Sequence, residues 1–204
     1  MMTTAEGGLA YQRWLATINQ VCGHFAARPL EESFHGEIDA RYAGSLKVST
    51  VTAAGVNLYR TRNEIKRDND AWFYTVFQLS GQASIEQDDR QVQLETGDMT
   101  LIDASRPCSI LWQQTSRQVS LLLPRQLLEN QLRGSGISVA TRLDKSLPMV
   151  QLSQRLLFPH GPAQDRDAPA LRRTEHRAQI FLPEHAAGCP AHHRRVEHDG
   201  DLVN

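Results

Sequence analysis

Apolar residues first recur along the chain at helical spacing. In YQRWLATINQVCG (11–23), Trp14, Leu15, Ile18, Val21 and Cys22 follow a 3.6-residue period, and Gly23 comes next as a stop. The pattern predicts an amphipathic N-terminal helix. From about residue 34 to 124 the period shortens. SLKVSTVT, VNLYRT, WFYTVFQLSG, ASIEQ, RQVQLE, MTLIDA, CSILWQ and QVSLLLP are short runs rich in β-branched and aromatic residues. Gly55, Gly81, Asp88-Asp89 and Gly97-Asp98 stand between them, residue types that tolerate the positive φ of tight turns. Short strands repeated at this spacing predict a sandwich or barrel rather than an α/β sheet. After Pro124 the helical period returns. RQLLENQL and SLPMVQLSQRLL put Met149, Leu152, Leu156 and Leu157 near one stripe. Such helices either complete the core of one monomer or meet a second subunit.

Beyond Leu157 neither period survives, apart from a short helical pattern around 170–182. Pro159, Pro162, Pro169, Pro183 and Pro190 punctuate this stretch, which also holds His160, His176, His185, His192, His193 and His198. Little packed structure is expected there. The chain thus divides into a helix and lead-in (1–33), a β-barrel (34–124), helices with candidate dimer contacts (125–157) and an irregular tail (158–204). The pattern predicts a mainly β fold, a sandwich or barrel with flanking α-helices.

Composition narrows the function. With 22 basic and 23 acidic residues the net charge is −1, so no bulk electrostatic attraction to nucleic acid or membrane is expected. Cys22, Cys108 and Cys189 are odd in number and widely spaced, which suits a reducing compartment. The N-terminus lacks a signal-peptide pattern and no apolar run is long enough to span a bilayer, so a cytoplasmic chain is expected.

The Thr96-Gly97-Asp98 turn, inside QLETGDMTLIDASRPCSILW, fits the rim of a cupin metal site or a plain barrel corner. A cupin metal site needs inward histidines beside a carboxylate. Between Phe34 and Pro124 the only histidine is His35, so a three-ligand centre is not expected and neither is a metal-dependent enzyme. No nucleophile elbow, P-loop or dinucleotide fingerprint is present. Cys108 reads as a buried structural thiol and the histidines near 192–198 as a His-rich tract. No catalytic residue, metal or cofactor is expected.

Aromatic surface is what the barrel does offer. Alternation in WFYTVFQL places Trp72, Tyr74, Val76 and Gln78 on one face and Phe73, Thr75, Phe77 and Leu79 on the other. Trp112 shares a face with Ile110 and Cys108, and Tyr59 lies on a neighbouring run. Trp72, Tyr74, Phe77 and Trp112 are the candidate ligand contacts, suited to a small planar aromatic molecule or else simply filling the barrel. Met149, Leu152 and Leu156 are the candidate dimerisation residues. An oligomerisation module without a ligand remains an alternative.

Residues 9 to about 157 resemble the N-terminal effector domain of AraC/XylS-type transcriptional regulators, above all the FeaR-type activators of 2-phenylethylamine (aromatic monoamine) catabolism. The runs INQVCG, STVTAAGVNLYRT, DAWFYTVFQLSGQA, GDMTLIDASRPCSI, SLLLPRQLLE and LPMVQLSQRLL carry the resemblance. It implies a mainly β, cupin-like jelly-roll (double-stranded β-helix) barrel with flanking α-helices, acting as a sensor for an aromatic amine or its aldehyde. It also implies DNA reading through a C-terminal pair of helix-turn-helix units. On these runs the resemblance ends near Leu157. The remainder has six arginines, no lysine and seven acidic residues, so no DNA-binding residues are expected in it. A chain truncated before the DNA-binding domain is thus expected, with an out-of-frame segment from about codon 158, a recent fusion or a genuine alternative terminus to account for the change.

Overall fold

The computed structural model describes residues 4–30, 34–43, 46–68, 72–131 and 136–158. The expected irregular tail lies outside the described residues except for Phe158, which is buried. Helix α1 runs from Thr4 to Cys22, longer at its start than its apolar period suggested. Trp14 and Ile18, one turn apart, are buried, and Tyr11, Leu15 and Cys22 flank them. Gly23 stops the helix for two reasons. Its φ is +99°, and a Cβ there would stand 2.9 Å from Asp68 Oδ2 and 3.0 Å from Arg60 Nη1. The chain leaving the helix is pinned by Asp68, whose carboxylate accepts the His24 N–H at 2.9 Å, and by Asn19 Oδ1, which accepts the Phe25 N–H at 2.8 Å.

Ten strands follow: β1 (Ala26–Pro29), β2 (His35–Ala43), β3 (Leu46–Ala54), β4 (Val56–Arg60), β5 (Trp72–Ser80), β6 (Ala83–Gln87), β7 (Arg90–Leu94), β8 (Met99–Asp103), β9 (Cys108–Trp112) and β10 (Ser116–Pro124). They form two five-stranded sheets of antiparallel pairs, ordered β1-β4-β9-β6-β7 and β2-β3-β10-β5-β8. All eight β-type runs of the sequence are strands. β1 lies within the stretch read as a lead-in, and β2 is an edge strand that the apolar pattern did not mark. A short helix, α2 (Arg62–Ile65), opens with a capping box between Thr61 and Glu64. α3 (Arg125–Gln131) and α4 (Pro148–Leu157) occupy the two predicted helical runs.

Between the sheets lies one apolar core, to which α1 adds Trp14 and Ile18. The second sheet is buried on its other face too. There Phe77, Met99 and Val150 form one cluster and Val48, Val119 and Phe158 another, with Leu157 against both. The architecture is therefore a jelly-roll of two sheets with α4 as a third layer.

The turns explain the acidic residues. Asp88 and Asp89 both take positive φ, +52° and +57°, forming the two-residue hairpin between β6 and β7. Asp98 is fully buried. Its Oδ2 accepts the Glu95 N–H at 2.9 Å and Arg142 Nε at 2.8 Å, and its Oδ1 accepts the Lys145 N–H at 3.2 Å. The Thr96-Gly97-Asp98 turn is thus a barrel corner that fastens the 142–145 segment.

Asp103 plays the same part at the end of β8. It accepts bonds from the Ser105 N–H (2.9 Å), Ser105 Oγ (2.7 Å), Arg106 Nε (2.8 Å) and Arg125 Nη2. Burial would raise its pKa. The Arg125, Ser105 and Arg106 donors outweigh that and hold the carboxyl below the usual range. A depressed folded-state pKa gives stability that is complete above the unfolded value of about 3.9 and is lost as pH falls through the folded one. Asp103→Asn is expected to lower unfolding free energy at neutral pH by about 2 kcal/mol. The gap from the parent should close as acid is added below pH ~3.9. Urea unfolding at a series of pH values checks both, and a gap independent of pH would contradict the assignment.

Candidate functional site

Inward-facing residues of both sheets enclose a cavity whose end is covered by α1. Its aromatic wall is Phe25, Tyr74 on β5 and Trp112 on β9. Val51, Leu58, Val76, Ile102 and Ile110 add aliphatic surface, and Ile18 and Cys22 come from the helix. Alternation explains the set: β9 buries Cys108, Ile110 and Trp112, and β4 buries Val56, Leu58 and Arg60. The Trp14 ring meets Trp112 edge-on, centroids 6.4 Å apart, and so braces the cavity from behind.

Few polar groups reach this space. Ser49 on β3 and Ser120 on β10 are directly opposed in the ladder, and Gln118 lies two residues from Ser120. Gln118 Nε2 donates to Gln78 Oε1 at 2.7 Å, and Gln78 Nε2 donates in turn to Ser116 Oγ (2.7 Å) and the Ser80 carbonyl (2.8 Å). The Tyr74 hydroxyl donates to the Cys22 carbonyl, which ties β5 to the end of α1. Burial pushes the Tyr74 hydroxyl well above its ordinary pKa. Burial likewise raises the Cys22 thiol, which donates to Ser49 Oγ at 3.6 Å. Cys108 is pushed up to about 12, also by burial. These thiols are protonated near neutral pH and are poor nucleophiles.

Arg60 is the buried charge beside the cavity wall. It is 2% exposed, lies over the Phe25 ring with Cζ 5.1 Å from the centroid, and pairs with Asp68 at 2.6 Å. Its Nε and Trp14 Nε1 are buried without a hydrogen-bond partner among the described residues. The sequence reading missed Arg60, although alternation along VNLYR places it on the same face as Val56 and Leu58.

Of the four candidate rings, the structure brings Tyr74 and Trp112 together in the cavity. Phe77 is on the opposite face of β5, packed edge-on to Phe158 at 6.5 Å, within the cluster beneath α4. That is the face alternation assigned to it, and it does not line the interior. Trp72, at the start of β5, is half-buried and borders a separate groove with Asn19, Lys47, Arg67 and Asp68. Ile18, Cys22 and Phe25 were not foreseen as lining residues, because no local pattern reports where a helix docks. The interior space is small, about 30 Å3. That suits a water molecule, whereas a dry cavity of about 150 Å3 accepts benzene.

Met149, Leu152 and Leu156 share the outer face of α4, 65%, 60% and 74% exposed, while Val150 and Leu157 pack inward. The structure thus separates Leu157 from the stripe drawn on sequence. No group of three or more His, Cys, Asp or Glu side chains positioned to hold a metal ion occurs among the described residues. No helix among them is long and apolar enough to cross a membrane.

Comparison with known proteins bears on this geometry. The chain is similar to the "Transcriptional activator NphR" of Rhodococcus sp, 27% identical over 135 residues, which cover 65% of this chain and 39% of that protein. It is also similar to the "Uncharacterized protein in nit 5'region" of Bacillus sp. (strain OxB-1), 31% identical over 96 residues, 47% of this chain and 37% of that one. The matches thus span well under half the length of either relative. Among solved structures, the AraC-like transcriptional activator CuxR shares the fold, with a TM-score of 0.50 and 17% identity over 59% of this chain and 45% of CuxR. The model of the AraC-binding-like domain matches residues 14–182, an interval that continues past Leu157. That match covers most of the sequence and the whole β-sandwich, and the chain belongs to the AraC-binding-like domain family.

Proposed function

We propose that this chain is the effector-sensing part of an AraC-type transcriptional activator of aromatic amine catabolism genes, acting as a binder and not as an enzyme. Its effector is a small aromatic amine or the aldehyde derived from it, held between the sheets against Tyr74 and Trp112. The observation that carries this is the cavity lining, three aromatic rings with a few fixed hydrogen-bonding groups and one protonated thiol. Such a surface recognises an organic molecule and offers no activated group to transform it. The names of NphR and CuxR support the regulatory half of the proposal, and the FeaR-type runs support the aromatic-amine half. DNA reading belongs to the helix-turn-helix domain of the whole regulator.

Because the interior volume is about 30 Å3, an aromatic effector must displace part of the wall. Binding then changes the environment of Trp112 and of Trp14 against it. At least one of phenylethylamine, tyramine and phenylacetaldehyde is expected to raise the apparent unfolding temperature. At a hundredfold excess over Kd the stabilisation is about 2.7 kcal/mol. The same compound should alter tryptophan fluorescence, and Trp112→Phe should weaken its effect. No shift with any of the three would overturn the proposal.

We assign the outer stripe of α4 to a homodimer contact. Three large apolar side chains on one face, each more than half exposed, are poorly placed in water and suit a second copy. The parent chain is expected to sediment as a dimer at micromolar concentration, and the double variant Leu152→Glu, Leu156→Glu as a folded monomer. A parent that sediments as a monomer would contradict the assignment.

A further inference from the structure

We infer that the interior site takes its aromatic effector in an uncharged form and rejects the ammonium or carboxylate form of the same skeleton. This deepens the proposed function and rests on the effector lying between the sheets.

Among the described residues, the lining contains no Asp, Glu, Lys, Arg or His. Its polar atoms are the Ser49 and Ser120 hydroxyls, the Gln118 amide, the Cys22 thiol and the Tyr74 phenol. The phenol proton is given to the Cys22 carbonyl and the thiol proton to Ser49. Gln118 is 2% exposed, and one of its N–H groups is held by Gln78, so the amide is pinned. Gln118 also lines the cavity, with Ser120 beside it on β10. That is a neutral donor–acceptor set, matched to a hydroxyl, carbonyl or amide and without a counter-ion.

Charges nearby lie outside the lining. Arg60 stands over the Phe25 ring and is paired with Asp68. Lys47, Arg67 and Asp68 border the groove that holds Trp72, on the other side of Cys22, whose thiol feels the Lys47 charge. An ammonium group carried into the interior would lose its hydration and meet only neutral dipoles, which makes the charged form the poorer ligand by on the order of a hundredfold or more.

The test uses the 204-residue chain and five probes on one ring: 2-phenylethanol, phenylacetamide, phenylacetaldehyde, phenylethylamine and phenylacetate. Thermal shift and tryptophan fluorescence at pH 7 are expected to detect the three uncharged probes and to show at least about a hundredfold weaker response to the two ions. Between pH 7 and 9 the apparent affinity for phenylethylamine should rise about tenfold per pH unit, following its free-base fraction, with phenylacetamide unchanged as the control. Gln118→Glu adds a carboxylate to the lining and should turn the preference toward phenylethylamine. If phenylethylamine binds the parent chain at pH 7 as tightly as phenylacetamide, the inference is wrong and the sensor function stands. If none of the five probes binds at any pH, both fall.

Discussion

The closure of the sandwich by α1 is the contact on which the rest of the structure depends. Trp14 and Ile18 complete an interior that the two sheets alone would leave open to water at one end. Fully burying two such side chains contributes roughly 1.5–3 kcal/mol each. The helix is also held by directed bonds: Tyr11 donates its hydroxyl to the Ala27 carbonyl, Asp68 and Asn19 hold the first residues after the helix, and Tyr74 donates to Cys22. The Arg60–Asp68 pair is part of this seal, since Asp68 bonds the chain leaving the helix as well as the guanidinium. A buried arginine in an apolar sandwich therefore has a structural reason independent of any ligand.

Much of the fold was legible because two periods, 2 and about 3.6, are written plainly into the chain. Eight runs with alternation and turn residues between them are eight strands, and Asp88-Asp89 forms the hairpin turn its chemistry favours. β2 escaped because HGEIDARYA is an edge strand with largely exposed side chains, so no apolar alternation marks it. The four-residue helix after β4 is too short to show a period. Its capping pair, Thr61 and Glu64, was the readable signal.

The site was legible only in part, for a physical reason. Alternation separates the two faces of a strand and does not say which face looks inward. In a one-sided sheet the apolar face settles the matter. β5 belongs to a sheet buried on both faces, with Tyr74 and Val76 in the interior and Phe73 and Phe77 outside it, and both sets are apolar. Choosing rings by type alone thus mixed Phe77 with Tyr74. Only the position of α4, set by tertiary packing of Val150, Leu157 and Phe158, resolves the two faces. Arg60 illustrates the converse, a charged residue on an inward face that hydrophobicity alone assigns to solvent.

The same double burial indicates where an occupied interior would yield. β10 is hydrogen-bonded along nearly its whole length to β3 on one side and β5 on the other, and the outer face of this sheet is covered by α4. Moving it disrupts two ladders and two apolar clusters at once, many bonds at about 1 kcal/mol each. Moving α1 disrupts a handful of side-chain bonds and the contacts of Trp14, Ile18 and their neighbours. In a close-packed interior, an added ring is accommodated by the least costly displacement. On the proposed function, α1 is the wall that gives, and the sheet carrying α4 stays fixed. Signal from the cavity would then leave through the helix that seals it, with Trp14 the residue whose surroundings change most.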